Sequence, residues 1–319
     1  MSKKVDVVCA GVIVADHVCA PIPRLPRAGE LITTDSMILT IGGCASNCAV
    51  DLAKMNVTAS VLGRVGDDAF GRIVCQMLAE AGLDTTHVRV SPGRPTSQTM
   101  IINVTGEDRR FIHIFGANAD FTPSDFPMDQ ILQARVLYVG GYLIMPGLEQ
   151  EGLREIFARA RQAGVQIVLD VATPGPGDYL SRLERLLPLV DVFLPNEDEA
   201  RLITGETDPV RQAEAFRRLG ARVAVITRGG EGAVLLSERV RLRAGVYPVP
   251  FVDGSGGGDA FDAGYIYGLL HRMDETECLR IASALGASCV RALGTTPGVF
   301  TESECLRFIR EHPLPIEKM

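Results

Sequence analysis

Three glycines stand in a row in Val252-Asp253-Gly254-Ser255-Gly256-Gly257-Gly258-Asp259-Ala260-Phe261, and an acid and an apolar run, AFDAGYIYGLL, follow at once. Glycine loses more backbone entropy on ordering than any other residue, so this triplet needs a purpose. Consecutive backbone N–H groups at a helix start form an anion site, to which the helix dipole adds about half a positive charge. Gly256, Gly257 and Gly258 let the backbone approach that anion with no side chain in the way. Asp259 then falls in the first helical turn, where its carboxylate is placed to take a proton from an incoming hydroxyl. An anion cradle beside a base is the pairing that phosphoryl transfer to an alcohol requires. Taken alone, the stretch also fits a tight turn followed by a capping aspartate. It is not a Walker loop, because no Lys-Ser/Thr follows the glycines, and it lacks the G-x-G-x-x-G spacing.

The elements that must position these residues read as a β-α-β rhythm. VDVVCAGVIV, VTASVLGRVG, ARVLYVGG, GVQIVLDV and LVDVFLPN are apolar strand candidates. CAVDLAKM, DAFGRIVCQMLAEAG (stopped at Gly82) and EGLREIFARARQAG are helical, and RVAVITRGGEGAVLL reads as two strands around a glycine turn. Such a pattern predicts a mainly parallel sheet covered on both faces by helices. Two regions break it. Residues 21–40 carry three prolines and then the alternation GELITTDSMILT, and QTMIINVTGEDRRFIHIF alternates around a Gly-Glu-Asp turn. These are half-exposed strands and a hairpin, read together as a small β-sheet lid formed roughly by residues 15–40 and 97–115 of one α/β domain spanning 1–319. The last residues, HPLPIEKM, read as a loose tail.

The chain has 319 residues, 46% hydrophobic and 22% charged, which is ample for a sizeable core. A net charge of −7 with no basic block argues against nucleic acid and anionic membrane as partners. Lys3-Lys4 before VDVVCAGVIVA imitates a signal peptide, but Asp6 and Asp16-His17 bracket the run and a buried first strand fits better. No segment has the ~18 consecutive apolar residues of a membrane helix. The eight cysteines form no CxxC pair. They read as structural thiols of a cytoplasmic protein, and Cys44 with Cys48 lacks the further soft ligands of a zinc site.

VDGSGGGDAFDAGY resembles the second signature of the ribokinase-type (PfkB) carbohydrate kinase family, usually D-T-x-G-A-G-D-x-F-x-A-G, with Gly254 for the usual Thr and Gly257 for the usual Ala. IGGCASNCAVDLAKM resembles its first signature, G-G-x-x-x-N-x-A, through Gly42, Gly43, Asn47 and Ala49. LGRVGDDAFG, FGANADFTPSDF, LPNEDEARLITG (the P-N-x-x-E motif) and VITRGGEGAVL (the T-x-G-x-x-G loop) follow in the family's order, so the resemblance covers nearly the whole chain.

The resemblance implies a ribokinase-like α/β domain with a β-sheet lid, transferring the γ-phosphate of ATP to a hydroxymethyl group of a sugar or nucleoside. Asp259 is then the general base, and Gly256, Gly257 and Gly258 are the anion hole. Asp16, placed at the end of the first strand, accepts hydrogen bonds from the sugar. Gly42 and Gly43 let the backbone approach the sugar, and Asn47 bonds a hydroxyl. Asn196, Thr227, Gly229 and Gly232 contact the nucleotide, and Glu199 orders Mg²⁺ through water. Asp253 matches a position that can bind a monovalent cation such as K⁺, and a plain strand-end acid explains it equally. Ribose, fructose and 2-keto-3-deoxy sugar acids stay open as substrates. A nucleoside kinase of the same family, or a non-catalytic sensing protein on the same fold, are the alternatives. Arg109 and Arg110 read as a solvated hairpin tip; a contact with an anionic substrate group or with a partner's lid is the other reading. GELITTDSMILT is an expected lid-to-lid homodimer interface.

Overall fold

The structure is a computed structural model describing residues 5–107 and 109–319. The Lys3-Lys4 start, and Asp108 of the lid turn, lie outside the described residues.

The main sheet contains β1 (Val7–Gly11), β4 (Ala59–Gly66), β5 (Asp84–Ser91), β8 (Val136–Gly140), β9 (Gln166–Leu169), β10 (Val192–Phe193), β11 (Val223–Thr227), β12 (Ala233–Ser237), β13 (Arg241–Ala244) and β14 (Ile316–Lys318). Its order is β14-β13-β12-β11-β10-β9-β8-β1-β4-β5. The run from β5 to β11 is parallel, and β12, β13 and β14 are antiparallel. Both faces are covered, so alternate residues of one strand enter different cores. Val7 and Cys9 of β1 and Val136 and Tyr138 of β8 pack on one side; Val8, Ala10, Leu137 and Val139 pack on the other. This is why these strands read as unbroken apolar runs.

The first side is covered by α1 (Cys44–Lys54), α2 (Ala69–Glu80), α8 (Gly257–Leu270), α9 (Glu275–Cys289) and α10 (Glu302–Glu311). The second is covered by the short α3 (Met128–Ile131), α4 (Gln150–Gln162), α5 (Leu180–Leu183), α6 (Glu197–Thr204) and α7 (Pro209–Arg218). No helix among the described residues is long and apolar enough to cross a membrane. The tail is not loose: β14 pairs with β13 at the sheet edge, and Leu314 before it is buried. An apolar contact and one edge ladder suffice to order that end.

The lid is a four-stranded sheet of β2 (Val14–Ile22), β3 (Met37–Gly42), β6 (Gln98–Val104) and β7 (Arg110–Ile114), ordered β3-β2-β6-β7. Only the last four residues of GELITTDSMILT, from Met37 to Thr40, are strand. The expected single first strand is two: it breaks at Val12-Ile13, where the chain leaves the main sheet for the lid. Asn118 clamps that junction, its Nδ2 donating to the Ile13 carbonyl (2.9 Å) and its Oδ1 accepting the Ile13 N–H (3.2 Å). Asp125 is fully buried and takes both arms of Arg64 (2.9 and 2.8 Å) and Arg89 (3.1 Å), holding the segment that returns from the lid against β4 and β5.

Candidate active site

The candidate residues gather at the carboxyl ends of the parallel strands, where open α/β sheets bind ligands. Gly256 precedes α8 at φ +76, and a Cβ there would lie 2.1 Å from the Thr295 carbonyl oxygen, so only glycine permits this start. The Gly257 N–H turns back toward the Gly254 carbonyl (3.4 Å). The amides of Gly258 and Asp259 are left without intrahelical partners, as at any helix start. No atom lies within 4 Å of where a Gly258 Cβ would stand, so the cradle has room above it. Asp253 is fully buried beneath the loop. Its Oδ1 accepts from Ser255 N (3.0 Å) and Oγ (2.8 Å), and its Oδ2 from Gly294 N (3.0 Å), which ties the loop to the 291–296 segment.

Asp259 meets α1 across the site: Asn47 Nδ2 donates to Asp259 Oδ2 at 2.8 Å. Burial raises the Asp259 pKa, while hydrogen bonds from Asn47 and Cys44 and the charge of Arg109 pull it back down. Asn47 is buried, and its Oδ1 has no partner. An orphaned acceptor beside the base suits a ligand hydroxyl.

Asp16 does not end a main-sheet strand. It lies inside the lid on β2, paired between Thr40 and Thr99, because β1 stops five residues earlier than the apolar run suggests. Burial pushes its carboxyl up to about 7, against a hydrogen bond from Thr99 and with help from the charges of Asp259 and Asp253. A Cβ on Gly42 would sit 2.0 Å from Asp16 Oδ2, so that glycine is the space the carboxylate occupies. Gly43 caps α1. Lid, α1 and α8 thus converge on one point.

On the neighbouring strand ends, Asn196 and Glu199 cap each other: Glu199 N donates to Asn196 Oδ1, and Asn196 N to the Glu199 carboxylate, both at 2.9 Å. Asn196 bridges to Thr227. The turn Gly229–Glu231 follows, and the Gly232 carbonyl accepts the Arg228 N–H at 2.8 Å. Burial pushes Glu199 up to about 8; the Asn196 backbone bond opposes this, and the charges of Asp259 and Asp198 add to it.

Several site residues escaped the sequence reading. Asp170, directly after β9, is buried and accepts the Gly141 N–H at 3.2 Å. Asp262 is buried and takes the Tyr138 hydroxyl at 2.9 Å. Burial raises both well above the usual carboxylate range. An acid closing the apolar run QIVLD was the available signal for Asp170. Cys44 is no mere core thiol: it opens α1 on the site side, and its Sγ, Asp170 and Asp259 present ligand atoms within 4.8 Å of one another. Burial pushes the Cys44 thiol well above its usual range, and the charges of Asp259 and Asp170 add to this. Buried carboxylates held this close are suited to a hard divalent cation, whose charge offsets the cost that burial puts on their ionised forms. The lid arginines also part company. Arg110 is exposed and ion-paired with Glu107 on the hairpin, while Arg109 reaches back to Gly254. Sequence spacing alone does not separate two adjacent arginines at a turn.

A groove of about 900 Å³ between Val57, Thr58, Leu83, Asp84 and His87 opens at the amino ends of β4 and β5 and holds none of these residues.

Residues 4–301 match the family model described as pfkB family carbohydrate kinase. The chain belongs to this family. Among its relatives, the ribokinase of Haemophilus influenzae is 28% identical over 308 residues, covering 95% of this chain and 97% of that one. The ATP-dependent 6-phosphofructokinase of Thermoanaerobacterium thermosaccharolyticum is 23% identical, covering 92% of this chain and 90% of that one. In fold, this kinase superposes on Arabidopsis thaliana ribokinase complexed with ribose and ATP with a TM-score of 0.80, at 23% identity, covering 97% of this chain and 99% of that one. As a PfkB carbohydrate kinase, the protein is an enzyme, and its central sheet and lid are those of the ribokinase-like fold.

Proposed function

We propose that this carbohydrate kinase transfers the γ-phosphate of ATP to a hydroxymethyl group of a sugar in the ribose, fructose or 2-keto-3-deoxy sugar acid class. The observation that carries this reading is the 2.8 Å bond from Asn47 to Asp259, which joins a sugar-side amide to a carboxylate at the mouth of the anion cradle. Asp16 and Asn47 hold and orient the sugar hydroxyls. Asp259 accepts the proton of the attacking hydroxyl as its oxygen bonds to phosphorus, and the bond to the ADP oxygen breaks. The Gly258 and Asp259 amides donate to the charge that develops. Positioning carries most of the acceleration, because the transition state is loose. Asn196, Thr227, Gly229 and Gly232 form the nucleotide side. Glu199 would order Mg²⁺ through water, with the buried Asp170 near enough for their charges to interact, and the metal when bound would neutralise phosphate charge. Asp253, which already ties the loop to Gly294, is the residue that would hold K⁺, whose charge would steady that loop.

The test is ADP release from Mg-ATP against a panel of free sugars, sugar acids and nucleosides, with and without K⁺. Release stimulated by one sugar class is expected. Stimulation by nucleosides alone moves the assignment to a nucleoside kinase, and ATP binding with no stimulation by any compound moves it to a sensing role.

The lid further supports a homodimer. Met100, Ile112 and Ile114 share one face of β6 and β7 and lie 47%, 63% and 47% exposed, an apolar face that a second lid would cover. Sedimentation at micromolar protein is expected to show a species of twice the 34.3 kDa chain, and a single 34.3 kDa species would remove the dimer.

A further inference from the structure

Arg109 and Gly254 compete for one space. A Cβ on Gly254 would lie 2.7 Å from Arg109 Nη1 and 3.2 Å from its Cζ. Arg109 comes from the lid, between β6 and β7, and its guanidinium also stands 5.4 Å from the Phe111 ring centre. Gly254 begins the loop that becomes the phosphate cradle, two residues before Gly256. The guanidinium is near enough to Asp259 for its charge to hold down that carboxyl's pKa. The side chain that the family signature places at this position, a threonine, would fill the space the guanidinium takes.

We propose that Arg109 is a further catalytic residue: a cation carried by the lid, admitted to the cradle by the bare backbone at Gly254, and bound to the phosphoryl group in flight. A guanidinium presents paired donors that match phosphoryl oxygens, and it stays charged when partly dehydrated. It completes a cradle that otherwise offers only backbone amides, and it arrives only when the lid is down over the sugar. Chemistry is thereby tied to closure, which keeps water from the phosphoryl group. This inference rests on the kinase reading above.

The exchange can be tested from both sides. Gly254 is not among the glycines with positive φ, and the nearest atom to its added Cβ is the far end of a flexible side chain. Gly254→Val therefore folds while evicting the guanidinium, and valine brings no donor of its own. Arg109→Ala and Gly254→Val are each expected to lower kcat about tenfold, somewhat less than loss of a fully enclosed oxyanion donor, with the sugar KM little changed. The double variant is expected to be no worse than either single one, and Arg109→Lys to recover part of the loss. Independently of sugar, aluminium fluoride should tighten ADP binding to the wild type and do so less in both single variants, since it mimics the phosphoryl group in transfer. Additive losses in the double variant, unchanged kcat, or a rise only in KM for an anionic sugar would overturn the proposal; the last result would make Arg109 a substrate-charge receptor. A wild type that no sugar stimulates would sink the kinase reading instead, and the aluminium fluoride comparison would still score Arg109.

Discussion

Asp259→Asn is expected to leave the fold and ATP binding intact and to lower turnover on the order of 10²-fold or more, the scale for removing a general base. The variant should fold because the asparagine carbonyl can still accept the bond that Asn47 Nδ2 donates at 2.8 Å, and because the wild-type group is already costly to ionise where it sits. Burial raises its pKa, so the acid limb of kcat/KM in the wild type should lie above the ordinary aspartate value of 3.8, and the Asn variant should lack that limb. Turnover and ATP affinity, measured together from pH 4 to 8, decide it. Wild-type turnover in the variant would remove Asp259 from the role of base and leave it a helix cap.

Glu199→Gln is expected to raise the Mg²⁺ concentration for half-maximal activity about 10- to 100-fold, the range seen when a residue that orients a metal's bound groups is lost. Glutamine keeps the reciprocal cap, because its amide oxygen can still accept the Asn196 N–H that Glu199 accepts at 2.9 Å. The change therefore removes charge while keeping α6 and the Asn196–Thr227 bridge in place. The pH dependence gives a second readout. The Glu199 carboxyl is pushed up to about 8, so in the metal-free enzyme it carries a proton below that pH, and Mg²⁺ has to displace it. The Mg²⁺ requirement of the wild type should fall as pH rises through about 8, and the Gln variant should lose that part of the dependence. An Mg²⁺ titration unchanged by the substitution at both pH 7 and pH 9 would leave Glu199 with capping alone.

The two predictions rest on different kinds of legibility. Asp259 and the glycines were readable because their chemistry is local: a cradle needs consecutive bare amides, and its base lies within the next turn. The parallel sheet was readable from apolar runs, since both its faces are covered. The lid was readable from alternation, since one of its faces meets solvent. Periodicity does not locate breaks between elements that share a run. Val7 to Ala15 is one apolar stretch serving two sheets, and only the Asn118 clamp at Ile13 shows where it divides. That division moved Asp16 from a main-sheet strand end into the lid. The C-terminal strand escaped for the opposite reason: three residues paired on an edge carry no pattern of their own.

Residue order by itself determined the family, the doubly covered sheet, the lid and the cradle with its base, because each is written in a contiguous segment whose spacing obeys backbone geometry. Tertiary structure alone decided which distant groups share the space above that cradle. Asn47 meets Asp259, Cys44 lies between Asp170 and Asp259, and Arg109 enters the gap at Gly254 while its neighbour Arg110 pairs on the surface. These meetings depend on how α1, α8, β9 and the lid are oriented around one strand-end crevice. Contacts across that crevice are set by packing, and packing leaves no period in the sequence.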